Sequence, residues 1–521
     1  MNKVLLFISL IILSIFFFSC KEKVTDIPLG NKPPDTFLFL YPDSTLSQQS
    51  SRLSVHWWGD DPDGLIIGYI FKWEGLDSVW HFTISNDSTF NLPIGTVDTS
   101  FIFKVAAVDD NGNGVYDNDI VWNGIHIGPE PFIDSDKNGI YTPGENFYDF
   151  GSIDPTPSEL KFPIKNSAPI IKWNELSYLP ETSFPVITAA WDVSDLDGDQ
   201  TVTKIYLALN DTSDYVILDG NTRIVTLRTS DFSTLNPTMQ ILINGSESKI
   251  FPENLNGLKL NDNNVIYVRA EDIAGAKSDF IRLPDTSSTW YVKKPTGNLL
   301  LVDDFAISDP AADKKVNDFY TNAFNTINNG SLVGKYDLLD LYKTNLPYQN
   351  ITFKETLKLF KYVFWFSGSR PTLDLASSVT SSFLSSGGKI FYSLTFEDPT
   401  DAFTFSLSDL QAFLPVDSLG EKKSLSFLFP GAVAQSCIGQ DYPALTTAST
   451  IGSARTFYPN TVAADSIYNI SSSQLKGNIA FMNKEKTLFF IGLPLHQCNG
   501  GSANVNALLE KIFFEDFSLT P

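Results

Sequence analysis

One eight-residue pattern occurs twice and constrains the first half of the chain. "WWGDDPDG" (Trp57–Gly64) and "WDVSDLDG" (Trp191–Gly198) share W-x3-D-x-D-G. Each copy is followed by A-x-D-x-x-G, as "AVDDNG" (Ala107–Gly112) and "AEDIAG" (Ala270–Gly275). Recurrence of a compound signature means two copies of one supersecondary module. In each copy the Trp ends an inner strand and the Asp-Gly pair turns the chain. Between about residues 33 and 295 the other segments agree: "LSVHWW", "FIFKVAAV", "NVIYVRA" and "TWYVKK" alternate and are bounded by Gly, Pro, Asn and Asp. This is the pattern of all-β sandwiches.

The two turns of each copy resemble the B–C and F–G corners of immunoglobulin-like or fibronectin type III modules, which lie at one end of a sandwich. The resemblance implies that Asp61 and Asp63 approach Asp109, and that Asp195 and Asp197 approach Asp272. Two uses fit such carboxylates: a cation bridging the loops, as in cadherin-like modules, or capping of the turns. The modules are expected at 33–166 and 167–295.

The first module carries an insertion from Val115 to Pro157, and within it lies "DSDKNGIYTPGE". Asp134, Asp136, Asn138, Gly139 and Glu145 match D-x-[DN]-x-[DN]-G-x5-E at every defined position. Calcium takes six to eight oxygens, and side chains at loop positions 1, 3 and 5 wrap one hemisphere of it. Ile140 offers a carbonyl, Thr142 a hydroxyl or a bound water, and Glu145 closes the site. No amphipathic helices flank the loop, so it reads as a structural calcium site rather than a sensor. With few apolar residues and several uncompensated carboxylates, the insertion is expected to depend on the ion for its order. The alternative is a turn rich in Asp, Asn and Gly. "DDNGNGVYDND" (Asp109–Asp119) echoes the pattern without a closing Glu.

The chain opens on "MNKVLLFISLIILSIFFFSC": Lys3, an apolar run to Phe18, then Ser19-Cys20. A basic start and an apolar run of about 15 residues fit a secretory signal, and the run is short for a membrane span of about 20 residues. The small residue before Cys20 resembles the lipobox of bacterial lipoproteins, which implies acylation of Cys20 and a membrane anchor. Residues 21–32, "KEKVTDIPLGNK", read as a tether, and Lys21-Glu22 resembles surface-export signals of some lipoproteins. The expected location is the cell envelope at the outer membrane. A net charge of −23 excludes a phosphate-backbone partner, so no nucleic acid is expected. The partner class is a surface protein or a glycan. Apart from Cys20, only Cys437 and Cys498 are present; in an oxidising compartment they form a disulfide or stay as two buried thiols.

Past "VKKPTG" the period changes. "NLLLVDDF", "YDLLDLY", "YVFWFSG", "GGKIFYSLTF" and "KTLFFIGLPL" are apolar strands. Helical patterns stand between them: Val316, Phe319, Tyr320, Ala323 and Ile327; "TFKETLKLF"; Leu375, Val379 and Phe383. A last helix carries Val505, Leu508, Leu509, Ile512 and Phe513. Alternation of this kind builds a parallel α/β sheet over 296–521. Asp303, Asp304 and Ser367 fall beyond the carboxyl ends of its strands, where such sheets bind ligands.

"LLLVDDF", "YDLLDLY", "FKYVFWFSGS" and "FLSSGGKIFYS" resemble the flavodoxin-like fold of class I glutamine amidotransferase-like proteins. The resemblance implies a Cys-Gly nucleophile elbow and a His-x-Glu pair. Here Ser393 or Thr395 stands near the Cys position with no Gly, and His496 is followed by Gln497-Cys498. Ser393 and His496 are the remaining catalytic candidates, without the third, orienting group that a nucleophile and its base require. The fold class is therefore two immunoglobulin-like sandwiches followed by a flavodoxin-like α/β domain. The function expected is lipid-anchored, calcium-stabilised binding or scaffolding at the envelope; the alternative is a surface hydrolase of glycan or peptide.

Overall fold

Along Arg52–Asp60 the residues Leu53, Val55 and Trp57 turn inward while Ser54, His56 and Trp58 turn outward. This is the period-2 pattern of a half-buried strand. The computed structural model describes residues 30–40, 52–93, 99–164, 166–305, 310–368, 370–396, 405–420, 427–439, 441–452, 454–501 and 503–520. Cys20, the leader and residues 21–29 lie outside these ranges. Contacts divide the chain into two units: one runs to Ser167 and includes Leu196–Gly198, and the other comprises Ala168–Asp195 and Asp199–Pro521.

The first unit is a sandwich. One sheet runs Asp35–Leu40, Arg52–Asp60, Asp87–Asn91; the other runs His81–Thr83, Ile66–Glu74, Thr99–Asp109, Ser158–Ile164. Three strands facing four in this order is the fibronectin type III arrangement of the immunoglobulin-like class. Trp57, Trp73, Phe103, Val105 and Phe162 fill the space between the sheets, and the Trp57 indole donates to the Ser85 carbonyl at 3.1 Å. Asn31 and Lys32, read as tether, are tied to the module. The Asn31 amide donates to Asp109 and Ser152, at 2.7 and 2.8 Å, and the Lys32 amide donates to Asp63 at 3.3 Å.

The second unit begins with the repeated sandwich. Ile170–Trp173, Val186–Ser194, Ile224–Arg228 and Gln240–Ile243 form one sheet; Tyr215–Asp219, Val202–Leu209, Ile266–Asp272 and Ile281–Leu283 form the other. Trp191, at the position matching Trp57, is buried and donates to the Thr222 carbonyl at 2.9 Å.

The α/β domain follows. Its parallel strands lie in the order Tyr336–Asp340, Leu299–Asp304, Tyr362–Ser367, Lys389–Ser393, Leu488–Ile491, which is the flavodoxin-like order 2-1-3-4-5. Every residue of Tyr362–Ser367 is buried because both faces are covered. Phe364 and Phe366 pack toward the helices Pro310–Gly330 and Asn504–Glu510. Val363 and Trp365 pack toward Gln349–Leu357 and Leu373–Ser385. The sheet then continues with antiparallel strands Lys476–Asn483, Ala464–Ser471, Val433–Ser436 and Leu445–Thr446, an extension that the sequence pattern left unassigned.

The second sandwich and the α/β domain share a seam. Phe184 belongs to the core beneath Gln349–Leu357 and meets Phe360 edge-on, with ring centroids 5.1 Å apart. Glu355 is fully buried and pairs with both Arg228 and Lys358. Glu247 receives Lys354, Lys358 and Ser382, each at 2.7 Å. The Thr352 hydroxyl donates to Thr188 at 2.9 Å, and Thr188 bonds Thr226 at 2.8 Å. All three threonines are buried.

Candidate functional site

The insertion of the first unit leaves the sheet after Thr99–Asp109 and returns to it at Ile153, which bridges Val108. The expectation that it lacks apolar content is corrected here. Trp122, Phe150 and Ile153 pack on Ile70, Ala106 and Val108 to form a second small core outside the sandwich. The Trp122 indole donates to the Asp154 carbonyl at 3.1 Å. Glu130, 1% exposed, accepts the amides of Asp117 and Phe150 at 2.9 and 2.7 Å and pins two turns together. Burial raises its pKa against the opposing pull of those amides.

From this base a stem projects. Phe132 bridges Phe147, and Ile133 donates to Asn146 at 2.7 Å. Tyr116 and Tyr141 stack at 3.7 Å, flanked edge-on by Phe132 and Phe147. The loop Asp134–Glu145 is therefore held by an aromatic clamp, a role that its polar composition conceals.

Within the loop the carboxylates organise the backbone. Asp134 accepts the Asn138 and Gly139 amides at 3.1 and 2.8 Å, and the Gly139 amide foremost holds its pKa below the usual range. Asp136 accepts the Asn138 amide at 3.1 Å, the Asn138 side chain at 2.7 Å and the Thr142 hydroxyl at 3.3 Å. Glu145 reaches back across the loop to the Ser135 amide at 2.7 Å and the Thr142 amide at 2.9 Å. Gly139 sits at φ +75°, a conformation that disfavours a side chain. Oxygens of Asp134, Asp136 and Glu145 lie within 4.8 Å of one another. None of the three pairs with a lysine or arginine among the described residues. Three hard anionic donors at this spacing, with Asn138, Thr142 and the Ile140 carbonyl in the same loop, are a donor set for a divalent cation such as calcium.

The corner carboxylates serve the backbone. Asp109 is fully buried; it accepts the amides of Asn111 and Ser152 at 3.0 and 2.9 Å, besides the Asn31 side chain. Asp61 accepts the Asp63 amide at 3.2 Å, and burial together with the charges of Asp109 and Asp63 raises its pKa. In the echo segment, the amides of Asn113 and Gly114 donate to Asp149 at 3.0 and 2.7 Å. In the second copy, Asp272 accepts the Ala276 amide at 2.8 Å and the Asp195 amide donates to Asp199 at 3.1 Å. Asp197 accepts the Ser167 amide and hydroxyl, both at 2.8 Å.

In the α/β domain, Asp303 and Asp304 end the strand Leu299–Asp304, at the point where strand order reverses. Asp304 is fully buried and takes Trp365, the Thr372 amide and the Thr372 hydroxyl on one oxygen, at 3.1, 2.8 and 3.0 Å. Burial drives Asp304 up to about 7 and Asp303 up to about 6. The folded state thus holds protons that the unfolded chain releases near pH 4. Stability contributed by these groups is complete below about pH 4 and lost as pH rises through 6 to 7. In Asp304→Asn the loss of stability between pH 5 and pH 8 is expected to shrink by about half or more, read from urea midpoints at each pH.

Ser393 and His496 share no direct hydrogen bond among the described residues, but both lie against the Tyr320 hydroxyl. Ser393 is fully buried and donates to the Leu493 carbonyl at 2.9 Å. His496 lies 3.3 Å from the Tyr320 hydroxyl, and burial with the nearby Lys315 charge pushes it down to about 4. The imidazole is therefore neutral at pH 7, and its neighbours are the rings of Phe305, Phe319 and Tyr320. Of the two alternatives for Cys437 and Cys498, the structure has separate thiols. Cys498 is packed in the large core, where burial raises it to about 12, while Cys437 is exposed beyond the strand Val433–Ser436.

No protein-family profile matches the chain, and no curated protein matches it. The sandwich-bearing half is similar to solved fibronectin-type structures. The fibronectin(III)-like modules of CbhA from Clostridium thermocellum are 11% identical, cover 50% of this chain and 95% of their own, and give a TM-score of 0.16. A two-domain fibronectin type III segment of chicken tenascin is 9% identical, with 48% and 97% covered and a TM-score of 0.19. The chicken interferon gamma receptor alpha chain is 7% identical, with 49% and 98% covered and a TM-score of 0.19.

Proposed function

We propose that this chain is a lipid-anchored envelope protein that binds or scaffolds partners at the cell surface, with calcium stabilising its first module. Cys20 carries the lipid, and Asp134, Asp136, Asn138, the Ile140 carbonyl, Thr142 and Glu145 hold the ion. The observation that carries the reading is the convergence of three carboxylates within 4.8 Å on one loop, with no lysine or arginine on them among the described residues. Like charges held this close repel unless a cation lies among them. The stacked Tyr116 and Tyr141, flanked by Phe132 and Phe147, give the loop a fixed base. The α/β domain is read as an amidotransferase-like scaffold without turnover, supported by the burial of Ser393 and the use of its hydroxyl on the Leu493 carbonyl.

Tyr141 lies inside the ion loop, which supplies a direct test. Terbium, a calcium substitute, should luminesce on excitation of tyrosine, and calcium should displace it. Asp134→Asn with Glu145→Gln should reduce the signal at least about tenfold, as expected when charged ligands of a loop site are removed. A signal unchanged in that double variant would end the calcium assignment.

A further inference from the structure

On the outward face of the first sandwich, Phe37, Phe39 and Trp58 form an aromatic strip. They are 41%, 45% and 43% exposed. Trp58 stacks on Phe39 at 4.0 Å and 8°, and on Phe37 at 5.1 Å and 25°. The cross-strand pair Phe37–Trp58 sets the register. Around the strip lie polar pairs: His56 with Asp87 at 3.9 Å, and Ser54 with Thr89 at 2.9 Å. An exposed apolar patch rimmed by polar residues marks a contact surface.

We infer that this strip rests on the interfacial layer of a phospholipid bilayer. The inference depends on the lipid anchor proposed above and adds a second point of attachment. Ten residues separate Cys20 from Gly30, where the described chain starts. Fully extended, they reach at most about 33–36 Å. Asn31 and Lys32 are already bound to the module, through Asp109 and Asp63, and Phe37 follows within a few residues on the first strand. A chain acylated at Cys20 therefore keeps this strand within one short tether of the lipid surface. Aromatic side chains favour that interface.

The ring geometry selects lipid over sugar. A pyranose docks on an open ring face, and here the Trp58 ring, the largest of the three, is stacked against both Phe37 and Phe39. Along the paired strands the strip is flanked by Asp35 and Asp60, and Asp87 stands opposite His56, so the contact requires apolar insertion rather than anionic headgroups. A neutral phosphatidylcholine surface is the appropriate probe.

The test uses the full chain produced in a host that acylates it, in phosphatidylcholine vesicles with plain or brominated acyl chains. Flotation of the parent and not of Cys20→Ser establishes the anchor. Brominated lipid is then expected to quench tryptophan emission in the parent. The quenching should fall at least twofold in Phe37→Ser/Phe39→Ser and vanish in Trp58→Phe. If the parent floats but brominated lipid leaves its emission unchanged, the strip contact is overturned and the anchor stands. If the parent does not float, the anchor falls, and the strip contact with it. Retention on a neutral polysaccharide that Trp58→Phe abolishes, without any lipid quenching, would overturn the inference in favour of a glycan.

Discussion

Replacing Glu355 with alanine is expected to destabilise the second unit by about 3–5 kcal/mol, the cost of removing one partner from a buried ion pair. Glu355 is fully buried between Arg228 of the second sandwich and Lys358 of its own helix. The two cations keep only 23% and 19% of their side-chain surface. Without the carboxylate Arg228 loses its anionic partner while still largely desolvated, and Lys358 keeps only Glu247. Glu355→Gln should lose less, since the amide oxygen still accepts a hydrogen bond. Replacing Arg228 and Glu355 together by methionine and leucine should recover most of the loss, because no stranded charge remains. Urea unfolding of the full chain, followed by tryptophan emission, ranks the variants. Equal stability of Glu355→Ala and the parent would show that the seam does not hold the modules together. Acid should act at the same seam. Burial pushes Glu247 up, but Lys354, Lys358 and Ser382 bring it down to about 2. Its contribution is present above pH 4.5 and lost as pH falls toward 2.

Saturating calcium should raise the melting temperature of the first module, and the double variant Asp134→Asn/Glu145→Gln should show no rise. At a hundredfold excess over Kd, ligand binding contributes about 2.7 kcal/mol. For a module of this size that corresponds to a shift of about 5–10 °C. The small core of Trp122, Phe150 and Ile153 packs through apolar side chains and uses none of the proposed ion ligands, so calcium removal should lower the transition and leave it cooperative. Differential scanning calorimetry with calcium and with a chelator reads both effects. A chelator that abolished the transition altogether would mean that the ion, rather than the small core, orders the insertion.

Much of the architecture was legible because it depends on periodicity. Trp57 and Trp191 occupy matching strands, and the alternation around each predicted which side chains enter the core. The run "YVFWFS" was readable as a strand covered on both faces because no polar residue interrupts it before Ser367. The turn at Asp134–Glu145 was legible because its tight wrap needs a positive φ at Gly139 and evenly spaced side-chain acceptors. The supporting parts were not. Glu130 lies in "GPEPF", with no period and no pattern, and its role exists only through the amides of Asp117 and Phe150. The extension beyond Leu488–Ile491 uses strands such as Ala464–Ser471, where polar residues interrupt the alternation. Corner aspartates carry the same signature whether they bind a cation or cap a turn. Only the partners of Asp109 show how its oxygens are used.

The threonine trio at the seam has a consequence for how this chain can be inherited. Thr188 and Thr226 belong to the sandwich and Thr352 to the α/β domain. The Thr352–Thr188 bond crosses what would otherwise be a domain boundary, and Thr226 backs it from the sandwich side. A gene rearrangement that separated the two halves would break the Thr352–Thr188 bond, strand Glu355 without Arg228 and bare Phe184 and Phe360. The pair should therefore travel through evolution as a single cassette, and shuffling of modules should occur only on the amino-terminal side of Ala168.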